Sequence, residues 1–209
     1  MIVVILIFPV GVINKTCYTS VKTYNYKVKK GEITLKKLLV VVDMQIDFTS
    51  GALGTKEAME IIPNVKQKIL HYQQQHIPIV FTKDTHESDY LATKEGEHLP
   101  IVHCIKGSTG WDFDPNIAPL ATSSLCFSKP SFGSVELATY IKDNAFDHIE
   151  LIGLCTDICV LSNALLIKAF VPESTIIVDA SCCAGVTKES HINALHAMKQ
   201  CHITIINES

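Results

Sequence analysis

Five consecutive apolar residues, Leu38, Leu39, Val40, Val41 and Val42, close on an aspartate, Asp43. Few folds can accommodate such a run. On a strand, successive side chains point to opposite faces, so both faces of this one must be covered. A half-solvated antiparallel sheet would instead alternate apolar and polar residues.

The rest of the chain repeats the theme. Residues 77–82 (IPIVFT), 125–129 (LCFSK), 148–153 (HIELIG), 174–180 (STIIVDA) and 202–207 (HITIIN) read as further strands. Between them apolar residues fall at helical spacing: Ile61, Ile62, Val65, Ile69 and Tyr72; then Val135, Leu137, Ala138 and Ile141; then 157–170; then 188–200. Strands alternating with helices predict an α/β fold, a three-layer doubly wound sheet of about six mainly parallel strands with helices on both faces. This domain is expected over 38–209. Residues 1–37 read as an N-terminal extension, a leader partly without fixed structure.

The extension begins MIVVILIFPVGVI, which is too short to span a bilayer. Its length suits a secretory leader, but no Lys or Arg precedes it and no clear cleavage site follows. A membrane role is not expected. Eight cysteines, several in apolar runs, sit in a chain that is 47% hydrophobic and needs no covalent staples. They point to free thiols and a cytoplasmic setting. The 18 basic residues are all lysine and net charge is −3, so bidentate guanidinium recognition of phosphate or base is excluded. No nucleic-acid partner is expected; a small-molecule substrate is. Homo-oligomer formation is compatible with the pattern.

In open α/β sheets, ligands bind beyond the carboxyl ends of the strands. Asp43 ends the first strand, Asp84 and His86 follow the second, Lys129 ends the third, and Cys155 and Cys159 follow the fourth. A thiol needs activation to act as a nucleophile at neutral pH. With Thr156 read as the cap of helix 157–170, Cys159 falls in the first turn, where the helix dipole favours an anion by about 0.3–1 kcal/mol. That is too little alone, so Asp43 as base and Lys129 as neighbouring cation are needed as well. Cys155 precedes the cap and is the weaker candidate.

Residues 83–123 are too long for a plain connection. Asp84-x-His86 presents a carboxylate and an imidazole, with Glu95, Glu97, His98 and His103 downstream. Mixed imidazole and carboxylate donors suit Zn²⁺, Mn²⁺ or Fe²⁺. An acidic, histidine-bearing loop is also what a solvated surface segment looks like.

DMQIDF (43–48), KPSFGS (129–134) and GLCTDICV (153–160) resemble the three catalytic motifs of the isochorismatase-like cysteine hydrolases, and HCIKGSTGWDFDP (103–115) resembles the nicotinamidase branch. The resemblance covers about 38–207 and implies a catalytic triad of Asp43, Lys129 and Cys159. It also implies a cis peptide at Leu154–Cys155, backbone N–H groups of Cys155 and Cys159 as an oxyanion hole, and Phe48 lining the substrate pocket. It further implies a divalent metal, zinc first, with Mn or Fe as alternatives, on Asp84, His86 and His103. A position where many members carry a further histidine is Ala92 here, and Glu95 is the expected replacement, with Glu97 and His98 as competitors. The implied activity is hydrolysis of nicotinamide to nicotinate and ammonia, a step of NAD salvage. Two alternatives stay open: a metal-independent hydrolase of another small amide or ureido compound, and a non-catalytic binding or redox protein using Cys155 and Cys159 as a pair.

Overall fold

A computed structural model describes residues 5–13, 16–23 and 35–208. They belong to two units, Met1–Thr34 and Leu35–Ser209. In the first, Ile5–Ile13 (β1) and Thr16–Thr23 (β2) pair as antiparallel strands. Of the leader expected over 1–37, residues 1–4, 14–15 and 24–34 lie outside the described residues.

The second unit runs Lys37–Val42 (β3), Ile46–Thr49 (α1), Lys56–Gln74 (α2), Ile79–Asp84 (β4), Lys94–His98 (α3), Ala118–Ala121 (α4), Leu125–Lys129 (β5), Val135–Asp143 (α5), His148–Leu154 (β6), Leu161–Phe170 (α6), Thr175–Ala184 (β7), Lys188–Gln200 (α7) and Thr204–Ile206 (β8). The unit opens slightly before residue 38. The backbone N–H of Lys36 donates to the Asp147 carboxylate at 2.9 Å and its Nζ donates to the Asn144 carbonyl.

All six strands of this unit are parallel, in the order β5-β4-β3-β6-β7-β8. The apolar run that opens the domain explains the layering. Leu38, Val40 and Val42 pack with Leu137, Ile141, Ala164, Ile167, Leu195 and Met198 from α5, α6 and α7. Leu39 and Val41 turn the other way, onto Ile61, Ile62, Val65, Ile69 and Tyr72 of α2. A strand with period-two alternation and two apolar faces thus fixes three layers.

The helix starts follow ordinary capping chemistry. Thr55, Ser134 and Thr187 accept backbone N–H groups of Ala58, Leu137 and Ser190 at the starts of α2, α5 and α7. Strand order reverses between β3 and β6. Strands β4 and β5 add on one side of that pair, β7 and β8 on the other. In a doubly wound sheet this switch point opens a crevice at the carboxyl edge.

Candidate active site and metal centre

Asp43 stands immediately after β3 with φ +46°, a left-handed conformation that costs a non-glycine residue energy and that aspartate tolerates better than most. It is fully buried. Its Oδ1 accepts the Thr82 hydroxyl at 2.6 Å, and its Oδ2 lies 2.7 Å from Nζ of Lys129. Lys129 ends β5, paired in register with Asp84 at the end of β4. Its ammonium is 1% exposed and also lies 3.4 Å from Asp84 Oδ1 and 3.5 Å from Cys159 Sγ.

Burial works against the Lys129 charge, but Asp43, Cys159 when ionised, and Asp84 overcome it and hold the ammonium well above the usual lysine range. Asp43 is pushed up by its burial, which outweighs the attraction of Lys129. Cys159 is pushed well above the ordinary thiol value, by burial first and then by the Asp43 charge, with Lys129 opposing. The resting site therefore holds a neutral thiol beside a buried carboxylate of raised basicity and a permanent cation. This corrects one expectation: the helix end and Lys129 together do not lower the thiol, because burial and the Asp43 charge outweigh them.

The capping expectation is also corrected. Cys159 sits in a π-type turn, Thr156–Val160, that leads into α6. Its N-cap is Cys155, not Thr156, and no side chain caps it. Such single wide turns recur at functional sites. The peptide Leu154–Cys155 is cis. Gly153 before it has φ +117°, and a Cβ there would overlap the carbonyl of Val42, so only glycine fits. The Cys155 thiol, half-buried, is pushed up to about 12 by burial, then by Asp157 and Asp43.

The four residues Asp84, His86, Glu95 and His103 converge, with their donor atoms all within 4.8 Å of one another. His86 Nε2 is 2.9 Å from Asp84 Oδ2 and 3.7 Å from Glu95 Oε1; His103 Nε2 is 3.5 and 3.8 Å from the same two oxygens. His103 Nδ1 donates to the Ile101 carbonyl at 2.8 Å, which leaves its Nε2 lone pair aimed at the group. Two carboxylates and two imidazoles, mostly buried, fit a divalent cation in charge and donor type. The competitors do not join them. Glu97 pairs with Lys94, and His98 Nδ1 bonds the Lys94 carbonyl, both exposed.

Several residues that build the site carried no separate signal in the sequence. Gln45 clamps Asp84 from both sides: its Oε1 accepts the Asp84 N–H at 2.7 Å and its Nε2 donates to the Asp84 carbonyl at 2.9 Å. Asp47 accepts the N–H of Cys104 at 2.7 Å and so pins the bend after His103, where Cys104 has φ +46°. The buried ring of Tyr90 packs against His86 and His103 at 4.7 and 4.9 Å between centroids. Asn163 donates to the Cys159 carbonyl at 2.8 Å and accepts the Ser134 N–H at 2.9 Å, joining the lysine loop to the cysteine helix. The motif DMQIDF thus supplies Asp43 beside Lys129, and Gln45 and Asp47 as supports of Asp84 and the bend after His103, with Phe48 edge-on to His103 at 5.7 Å.

Residues 37–208 match the isochorismatase domain family. Among curated proteins, the nicotinamidase/pyrazinamidase of Mycobacterium tuberculosis is 22% identical over 188 residues, covering 83% of this chain and all of that one. The nicotinamidase of Acinetobacter baylyi is 26% identical over 174 residues, covering 68% of this chain and 79% of that one. Among solved structures, the pyrazinamidase of Pyrococcus horikoshii in complex with zinc superposes with a TM-score of 0.72 at 27% identity, covering 83% of this chain and 99% of that one.

Proposed function

This chain belongs to the isochorismatase family, near its nicotinamidase branch, and on that premise we propose that it hydrolyses nicotinamide to nicotinate and ammonia through a thioester on Cys159. The observation that carries the reading is one ammonium. Lys129 Nζ touches Cys159 Sγ, Asp43 and Asp84 within 3.5 Å, so the reaction centre and the metal group share a wall.

Asp43 is the base. Its raised basicity lets it take the thiol proton as Cys159 Sγ attacks the carboxamide carbon. Lys129 keeps its charge throughout and balances the negative charge on Asp43 and sulfur. The oxyanion is received by the backbone N–H groups of Cys155 and Cys159. Asp43 then gives its proton to the leaving nitrogen, the C–N bond breaks and ammonia departs. Water enters, loses a proton to Asp43 and attacks the thioester carbon. The C–S bond breaks, and the proton returns from Asp43 to sulfur. Phe48 lines the ring pocket. A divalent metal held by Asp84, His86, Glu95 and His103, zinc by preference, would supply a Lewis acid for the pyridine nitrogen.

Among the described residues seven cysteines are free thiols. Among the described residues no helix is long and apolar enough to cross a membrane. Ammonia release should be measured against a panel of small amides, with and without chelator. Turnover of nicotinamide that falls on chelation and returns with zinc is expected. Turnover of a carbamoyl compound alone, unaffected by chelation, would replace this reading with a metal-independent amidase.

A further inference from the structure

The turn that carries Cys159 is held from behind. Thr156 opens it, fully buried, and its Oγ1 lies 2.8 Å from Nδ1 of His191 in the first turns of α7. The next residue, Asp157, accepts the N–H of Val186 at 3.2 and 3.3 Å. The first contact ties the turn to α7 and the second to the β7–α7 connection. Helix α7 comes this close because residue 185 is glycine: a Cβ there would lie 2.9 Å from the His191 backbone nitrogen and 3.0 Å from its Cα. The start of α7 is itself fixed by the reciprocal bonds of Thr187 and Ser190.

A helix start without a capping side chain, wound as a π turn, leaves its first residues short of the usual local restraints. The contacts from α7 supply them from outside. Among the described residues the His191 side chain makes no other hydrogen bond. His191 also lines a groove of about 680 Å³ between α2 and α7, together with Glu57, Glu60, Lys188, His196 and Glu208. Burial lowers its basicity, which suits a neutral ring accepting the Thr156 hydroxyl.

We propose that His191 is a positioning residue: through Thr156 it fixes the cysteine turn so that Cys159 Sγ stays in reach of Lys129 and Asp43. The inference rests on Cys159 as nucleophile, not on which amide is cleaved.

The test is the rate at which iodoacetamide alkylates Cys159, followed peptide by peptide by mass spectrometry, with exposed Cys201 as internal standard. No substrate is involved, so a failed nicotinamide assay leaves this result intact. His191→Leu and Thr156→Val should each slow Cys159 by about fivefold, the worth of one hydrogen bond, with Cys201 unchanged. The double variant should be no slower than either single one, because both remove the same contact. His191→Asn, whose amide can reproduce the Nδ1 position, should recover most of the rate and also guards against misfolding of the leucine variant. His196→Leu, in the same groove, should leave the rate unchanged. Unaltered rates in the single variants, or losses that multiply in the double, would overturn the proposal.

Discussion

Replacing Lys129 by methionine removes, among the described residues, the one lysine that faces both Asp43 and Asp84. At 2.7 Å, two unit charges attract by about 6 kcal/mol at an effective dielectric constant of 20. Breaking a buried pair costs about 3–5 kcal/mol in practice. Asp43 is fully buried and already pushed up, so it should answer by holding its proton rather than by unfolding the sheet. Each 1.36 kcal/mol is a factor of ten, so the ionised fraction of the base should fall by roughly 10²- to 10⁴-fold. The sign follows. A base must be deprotonated to act, so the acid limb of kcat/KM rises as pH passes the pKa of Asp43. In wild type that limb should lie above the range of an ordinary carboxylate, and in Lys129→Met it should move further up. The assay is ammonia release and Cys159 alkylation against pH, with thermal unfolding as a check on integrity. A variant within about tenfold of wild type at neutral pH, its acid limb unmoved, would refute the role given to Lys129.

Three other outcomes are expected. Lys68 bridges Glu150 and Asp179 at 2.7 Å each beneath α2, so Lys68→Met strands two buried carboxylates and should cost about 3–5 kcal/mol in urea unfolding while sparing the active-site geometry. Gly153→Ala combines φ +117° with a clash on the Val42 carbonyl and should cost at least about 3 kcal/mol, read as a fall in Tm with loss of turnover. His103→Ala leaves Asp84 and Glu95 facing each other with one imidazole, so the content of bound divalent metal should fall by more than about tenfold by elemental analysis, while Glu97→Ala changes nothing.

The layers of the fold were legible because period-two and period-3.6 patterns record burial directly, and Leu38–Val42 could only be a strand covered on both faces. The convergence of Asp43, Lys129 and Cys159 followed from parallel strands sharing one carboxyl edge. Glu95 was expected only as a replacement for a missing histidine, and folding brings it rather than Glu97 to the group because positions two apart on a helix face nearly opposite ways. What stayed hidden depends on three-dimensional partners. Gln45, Asn163 and Tyr90 are polar or aromatic residues at unremarkable spacings, and their value lies in which backbone groups and rings they meet. The cap on the cysteine turn was misplaced because Thr156 is a good capping residue type, yet its hydroxyl is engaged by His191, 35 positions away.

The most direct test of the central claim is to quench the enzyme with acid during turnover of nicotinamide and map the acyl group by mass spectrometry. A nicotinoyl group on the peptide bearing Cys159, unchanged by Cys155→Ala and abolished by Cys159→Ala together with ammonia release, is predicted. Steady turnover by Cys159→Ala, or an acyl group carried on Cys155 instead, would contradict it.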